Sequence, residues 1–190
     1  MTQPQRLSDL VGAPGAGFDE PFEMLEACHQ RVRRMLTLLQ RLRAHIAAHG
    51  SDAQARQAAR DVLRYFDMAA PQHHLDEELH VFPPLLAQGD PAVRALVERL
   101  QREHLEMESR WQQARRVLAL VTDGAVERLE PDDEVRLESF AALYDAHLGN
   151  EEDIVFPAAQ ALVDAQARHA MGEEMSRRRG AKAPGSGEVR

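Results

Sequence analysis

An eleven-residue pattern occurs twice in this chain and restricts its possible folds more than any other feature. The first copy begins at His73 and the second at His147, 74 residues later, and six of the eleven positions are identical. The shared pattern is His-x-x-x-Glu-Glu-x-x-Val-Phe-Pro. Both copies lie in long segments with helical spacing of apolar residues, so the His and the first Glu of each project from one helix face. The repeat therefore predicts two matched pairs of metal-ligating side chains.

The composition favours an all-helical protein. The chain is 44% hydrophobic but only 5% aromatic, and its many Leu, Ala, Glu and Arg residues are good helix formers. The net charge of −8 argues against general nucleic-acid binding. A single cysteine, Cys28, excludes an internal disulfide and any multi-cysteine metal site. We find neither a signal peptide nor a run of the ~20 apolar residues that crosses a bilayer, and expect a cytoplasmic protein without a membrane partner.

The spacing of apolar, capping and helix-breaking residues predicts an up-down-up-down four-helix bundle over residues 20–171. Residues 1–19 are expected to form a flexible lead-in, and residues 172–190 a disordered, basic tail. Pro71 is expected to kink or split the second helix just before His73. The predicted helices run over about 20–49, 52–86, 91–121 and 132–171.

The two halves of this bundle resemble one duplicated helical pair. His29 precedes His73 by 44 residues, and His104 precedes His147 by 43. His29 lies 21 residues before Gly50 and His73 lies 23 after it. At ~1.5 Å per helical residue, both histidines are therefore level, and the same counting across the other turns places the remaining motif residues in that layer.

The layer contains four imidazoles and two carboxylates, which need partners inside a bundle core. The six candidate ligands are His29, His73, Glu77, His104, His147 and Glu151. Two cations would satisfy all six, and the mixed set suits iron as well as manganese or zinc. Two Glu, each able to span two metals, favour a dinuclear centre. The alternative is a set of core histidines satisfied by neighbouring acids.

With Phe-Pro after each His-x-x-x-Glu pair, these residues resemble the haemerythrin-like (HHE cation-binding) family over roughly residues 20–165. The resemblance implies a four-helix bundle that holds an oxo- or hydroxo-bridged di-iron centre. It implies that Glu77 and Glu151 bridge the two irons and that the four histidines are terminal ligands. Members of the family bind or sense dioxygen, nitric oxide or iron, and some repair iron–sulphur clusters.

Two positions depart from the oxygen-carrying haemerythrins. Those proteins have a fifth histidine four residues after the one on the third helix, where this chain has Glu108. On the fourth helix they also use an Asp one place further along than this chain's ligand candidate Glu151, which is four residues after His147. We expect Glu108 to face solvent or to lie beside the ligands, and the metal site to persist without an oxygen-carrier role.

Several other histidines and a tyrosine are expected outside the set of six ligands. His80 is expected near the ligands, Tyr144 in ordinary core packing, and His45, His49 and His169 at the surface. A ferritin-like carboxylate bundle would use Glu-x-x-His pairs. Glu26-x-x-His29 and Glu77-x-x-His80 fit that pattern, but neither recurs in the second half of the chain, which favours the haemerythrin-like alternative.

The first functional hypothesis is a non-haem di-iron protein whose partner is a small diatomic molecule or peroxide. It would bind or sense that species, with weak peroxidase- or nitric-oxide-type activity left open. The second is a helical interaction module that its metal ions stabilise without redox turnover. The pattern identifies no protein partner.

Overall fold

A computed structural model of the chain describes residues 17–180, and every regular element in that range is helical. The α-helices are α1 (Pro21–His49), α2 (Ala53–Asp76), α3 (Phe82–Gln88), α4 (Pro91–Thr122), α5 (Pro131–Ala141), α6 (Tyr144–Asn150), α7 (Phe156–Leu162) and α8 (Ala165–Arg178). Two π-helical segments join α2 to α3 and α6 to α7; they are Glu77–Val81 and Glu151–Val155. The all-helical prediction is confirmed for the described residues. No helix in this part of the chain combines the length and the apolar character that crossing a bilayer requires.

The second predicted helix is not split where the sequence indicated. Pro71 lies inside α2, which continues to Asp76. Proline removes one backbone hydrogen bond, but its fixed φ is compatible with a helix, so the chain passes through it. The irregularity comes six residues later, where the π-helical segment begins at Glu77.

The predicted fourth helix is interrupted at residues 142–143, between α5 and α6, and it ends at Leu162, before a separate helix. Val163 has extended backbone after α7, and the Asp164 side chain accepts a hydrogen bond of 2.8 Å from the backbone N–H of Ala167, which caps α8. Residues 172–178, predicted to belong to a disordered tail, are the second half of α8. The lead-in prediction for residues 1–16 and the tail prediction for 181–190 lie outside the described residues.

The Phe-Pro ending of each repeat accounts for the two π-helical segments. The backbone N–H of Phe82 bonds to the carbonyl oxygen of Glu77, and that of Phe156 bonds to Glu151, five residues back in both cases. The following proline has no N–H, so the return from π to α spacing leaves no unused donor there. Such single π turns are frequent at functional sites, and each begins at a predicted metal-binding Glu.

Contacts between backbone atoms divide the chain into two compact units. Among the described residues, the first comprises Arg31–Gln72 and Arg102–Asp145. Its described core contains an aromatic cluster in which the ring centroid of Phe66 lies 5.0 Å from that of Phe140 and 5.2 Å from that of Trp111. Trp111 Nε1 donates a hydrogen bond of 3.0 Å to Asp67, which satisfies the one polar atom of the indole.

Among the described residues, the second unit comprises residues 17–30, His73–Gln101 and residues 146–180. The Val-Phe pairs of the two repeats lie in its core and are at most 1% exposed; they are Val81, Phe82, Val155 and Phe156. Met171 and Met175 of α8 join the same cluster. The repeated apolar residues therefore fix the two π-helical segments in one core, and this determines where the Glu residues that begin those segments point.

Candidate metal centre

Four of the six predicted ligands meet inside the second unit. His29 lies on α1, His73 on α2, and Glu77 and Glu151 begin the two π-helical segments. One ligand atom from each of the four lies within 4.8 Å of those of the other three. All four side chains are at most 2% exposed, so the cluster is a polar group inside a hydrophobic core.

The two carboxylates, one from each copy of the repeated pattern, face His29. His29 Nε2 lies 3.3 Å from Glu151 Oε2 and 3.7 Å from Glu77 Oε1. Glu77 Oε1 also lies 3.2 Å from His73 Nε2, one helical turn earlier. Each carboxylate is thus shared between two imidazole nitrogens.

The second repeat forms the equivalent pair. His147 Nε2 lies 3.0 Å from Glu151 Oε1, and His147 is 1% exposed. Glu151 therefore directs one oxygen to His147 and the other to His29.

His104, the sixth predicted ligand, lies on α4 in the first unit and is 6% exposed. Its burial agrees with a core-facing position on that helix. A histidine buried in a helical protein needs a polar partner, and a metal ion is one such partner.

The electrostatics of the cluster favour a bound cation. Burial alone lowers the pKa of His29, but the nearby Glu151 and Glu77 carboxylates outweigh that effect and raise the pKa to about 10. The two carboxylates create a negative potential that stabilises a proton on His29. The same potential would stabilise a bound metal ion.

The orientation of His29 depends on a residue that the sequence analysis did not consider. His29 Nδ1 lies 2.9 Å from Glu152 Oε1. A carboxylate only accepts, so Nδ1 carries the hydrogen, and a neutral His29 presents its Nε2 lone pair to the cluster. The ring also stacks on Phe156, with centroids 5.1 Å apart and planes at 26°. Glu152 is the second Glu of the repeated Glu-Glu pair, so the repeat itself contained the signal.

A second group that the sequence analysis missed flanks the first π-helical segment. Asp76, directly before Glu77, is 0% exposed. It accepts hydrogen bonds from Arg178 and Arg179 at the end of α8. Both arginines belong to the stretch that the sequence predicts to be a disordered tail, because Arg-rich composition at a terminus gives no sign of a buried partner 102 residues away.

His80 does not join the cluster of ligands. Its Nε2 atom lies 2.7 Å from Glu174 Oε2 on α8, and its side chain is 18% exposed. Tyr144 packs in the aromatic cluster of the first unit, with its ring centroid 5.4 Å from that of Phe140, as predicted.

Four other residues named in the sequence analysis lie at the surface or close to it. Glu108 and His49 are exposed, and the His169 side chain is 61% exposed. His45 is half-buried and lies 3.0 Å from Asp52. The expected surface positions of His49 and His169 are confirmed.

The residues present fit a metal centre better than they fit an ordinary core. Imidazole nitrogen and carboxylate oxygen are the donors that iron, manganese and zinc accept. His29, His73, Glu77, His147 and Glu151 could hold such an ion from within the second unit, and their burial excludes bulk water from the ligand atoms.

Comparisons with known proteins agree with this geometry. The family model described as "Hemerythrin HHE cation binding domain" matches residues 20–159. A protein of Haemophilus influenzae, described as uncharacterized, is 32% identical over 168 residues, which cover 88% of this chain and 94% of the relative. The matched range includes every predicted ligand.

Proposed function

Because this chain belongs to the hemerythrin HHE cation-binding domain family, we propose that it is a non-haem di-iron protein that binds or senses a small oxygen or nitrogen species. The ligands in this proposal are His29, His73, Glu77, His104, His147 and Glu151. The observation that carries the proposal is the sharing of Glu77 and Glu151 between histidine nitrogens at 3.0 to 3.7 Å in a buried core. The proposed fold around this centre is the up-down-up-down bundle of the family.

Two ions rather than one are proposed because of Glu151. Its two oxygens face different histidines, His29 and His147, at 3.3 and 3.0 Å. Glu77 lies 3.2 Å from His73 and 3.7 Å from His29. A carboxylate whose two oxygens face different histidines, as in Glu151, suits a pair of cations, each with its own histidines.

Iron bound here would supply one-electron redox chemistry and coordination positions for dioxygen, nitric oxide or peroxide. The chain's own residues set the conditions for that chemistry. Glu152 accepts the Nδ1 hydrogen of His29, and Phe156 fixes the plane of the His29 ring. The cluster is buried, so only small molecules can reach it. Since Glu108 is exposed, the fifth histidine of oxygen carriers has no counterpart in that position, and we propose sensing or turnover rather than oxygen transport.

The first test is the metal content of the purified protein and its variants. We expect about two irons per chain in the parent, and Glu77→Ala or Glu151→Ala to lower the occupancy of both ions, because each carboxylate is shared. His49→Ala, which removes an exposed histidine on the same helix as His29, is the matched control and should leave the content unchanged. A parent protein with about one ion per chain would contradict the dinuclear proposal.

The second test separates ligand binding from a purely structural metal. The anaerobically reduced protein is mixed with nitric oxide or with oxygenated buffer in a stopped-flow spectrometer. We expect a new absorption band with nitric oxide, and lasting oxidation in air. An oxygen-induced band that persists for many minutes and reverses under vacuum would restore an oxygen-carrier role, whereas no response to either gas would favour a metal that only stabilises the fold.

A further inference from the structure

Helix α8 is attached to the second unit by an apolar face and by an ionic network. Its buried residues are Met171, Gly172, Met175 and Ser176, which form one stripe along the helix. The two methionines lie in the core that also contains Phe82 and Phe156. Helix α8 begins after residue 159, where the family match ends, so its contacts are not part of what the family model describes.

The ionic network of α8 contacts Asp76, the residue directly before the first π-helical segment. Arg178 Nη2 donates to Asp76 Oδ1 at 2.8 Å, and Arg179 Nη1 donates to the same oxygen at 3.0 Å while its Nη2 binds the other oxygen. Asp76 directly precedes Glu77. Arg178 also binds Glu174 through two nitrogens, at 2.6 and 3.0 Å.

Glu174 extends the network to the interior of the same segment. Its Oε2 atom lies 2.7 Å from His80 Nε2, and His80 is the fourth residue of Glu77–Val81. The bond from Arg178, followed by that from His80, lowers the pKa of Glu174 to about 2, which keeps this carboxylate charged at all ordinary pH values. The network therefore connects Asp76 and His80 through residues of one helix.

The π-helical segment needs such support. Its backbone departs from α spacing, and the buried Glu77 side chain has to point at His29 and His73. Asp76 is 0% exposed, and a buried carboxylate is costly unless it is paired. The guanidinium groups of Arg178 and Arg179 offset the cost of burying the Asp76 carboxylate when they pair with it, and the same pairing holds the π-helical segment in place.

We propose that α8 is a clamp that positions Glu77 for metal binding, with Arg178 and Arg179 as positioning residues that act through Asp76. This inference rests on the proposed function, since it concerns the same site. Partners outside the ligand set commonly change metal affinity by about 10- to 100-fold, and we expect the clamp to act within that range.

The test uses the full chain with Arg178→Gln and Arg179→Gln together, and Arg177→Gln as the matched control. Arg177 is exposed and adjacent in sequence, so it carries the same charge without the contact to Asp76. The double variant should lose iron to a chelator about tenfold faster or more, and Arg177→Gln should match the parent. Equal release rates in the double variant and the control would overturn the clamp.

A third variant guards against loss of the fold. Adding Asp76→Asn to the double variant removes the buried charge that the missing arginines would leave uncompensated, so the chain should fold. We expect this triple variant to release iron fast as well, because the clamp is still absent. Parent-like release from a folded triple variant would refute positioning and assign the arginines to charge compensation alone.

Hydrogen exchange of the metal-free protein separates this inference from the proposed function. The amides of residues 77–82 should exchange faster in the double and triple variants than in the parent and in Arg177→Gln. If Glu77→Ala leaves the iron content unchanged, the proposed function fails, yet the exchange rates still decide whether α8 holds the segment. Unchanged exchange in residues 77–82 would refute the clamp whatever the metal content.

Discussion

Replacing Glu152 should weaken metal binding although Glu152 is not a proposed ligand. Its Oε1 atom lies 2.9 Å from His29 Nδ1 and fixes the hydrogen on that nitrogen. Without the acceptor, the hydrogen can move to Nε2, and a metal then has to displace it before it can bind. Glu152→Ala should therefore lower affinity while leaving the number of ions at saturation unchanged.

The magnitude follows from the strength of this hydrogen bond. Hydrogen bonds to charged groups contribute about 1.5–3 kcal/mol, and the lower end applies because the Glu152 side chain is 29% exposed. About 1.5 kcal/mol corresponds to about tenfold in the dissociation constant. Glu152→Gln keeps an acceptor oxygen but loses the charge, so its effect should be about threefold, from a difference of about 0.7 kcal/mol.

The assay is anaerobic competition for iron(II) between the protein and a chromophoric chelator, at fixed pH. Asp153→Ala is the matched control, because Asp153 is the next residue and is exposed. We expect parent and Asp153→Ala to agree, with Glu152→Gln and then Glu152→Ala progressively weaker. Equal affinities for Glu152→Ala and Asp153→Ala would refute the argument that Glu152 orients His29.

Three further predictions concern stability. The Arg178 bond, followed by that of His80, lowers the folded-state pKa of Glu174 to about 2 from 4.5. Its contribution is therefore fully present above pH 4.5 and lost as the pH falls towards 2. Because the side chain is 31% exposed, we expect Glu174→Gln to cost about 1 kcal/mol at pH 7. Urea unfolding at several pH values checks this, and a penalty that grows below pH 4.5 would contradict it. Trp111→Ala should cost about 3–5 kcal/mol, because Trp111 is 7% exposed in the aromatic cluster. Iron content per folded chain should be unaffected, because Trp111 is not a proposed ligand, and a proportionate loss of iron would contradict this. Iron-free protein should melt lower than loaded protein by mass-action linkage, about 4 kcal/mol at a thousandfold excess of free metal over Kd. Identical calorimetric midpoints would show that the ligand cluster is stable without metal.

The sequence by itself determined the residues of the candidate centre and the helical class. A His and a Glu four residues apart share a helix face wherever the helix lies, so the repeat identified His73, Glu77, His147 and Glu151 without any knowledge of the fold. Counting residues from Gly50 added His29, because helical rise is constant. The structure brings His29, His73, Glu77 and Glu151 within 4.8 Å of one another, while their role as ligands stays a prediction.

Only the tertiary structure decided what surrounds those residues. The partner of Asp76 lies 102 residues away on a helix whose composition indicated disorder, and no local pattern encodes a contact at that distance. The predicted fourth helix is split at residues 163–164, and α2 continues through Pro71. Both outcomes depend on backbone geometry, which the identity of a single residue favours but does not determine. Local spacing specifies which side chains share a face, whereas burial and ion pairing between distant segments are specified only when the core forms.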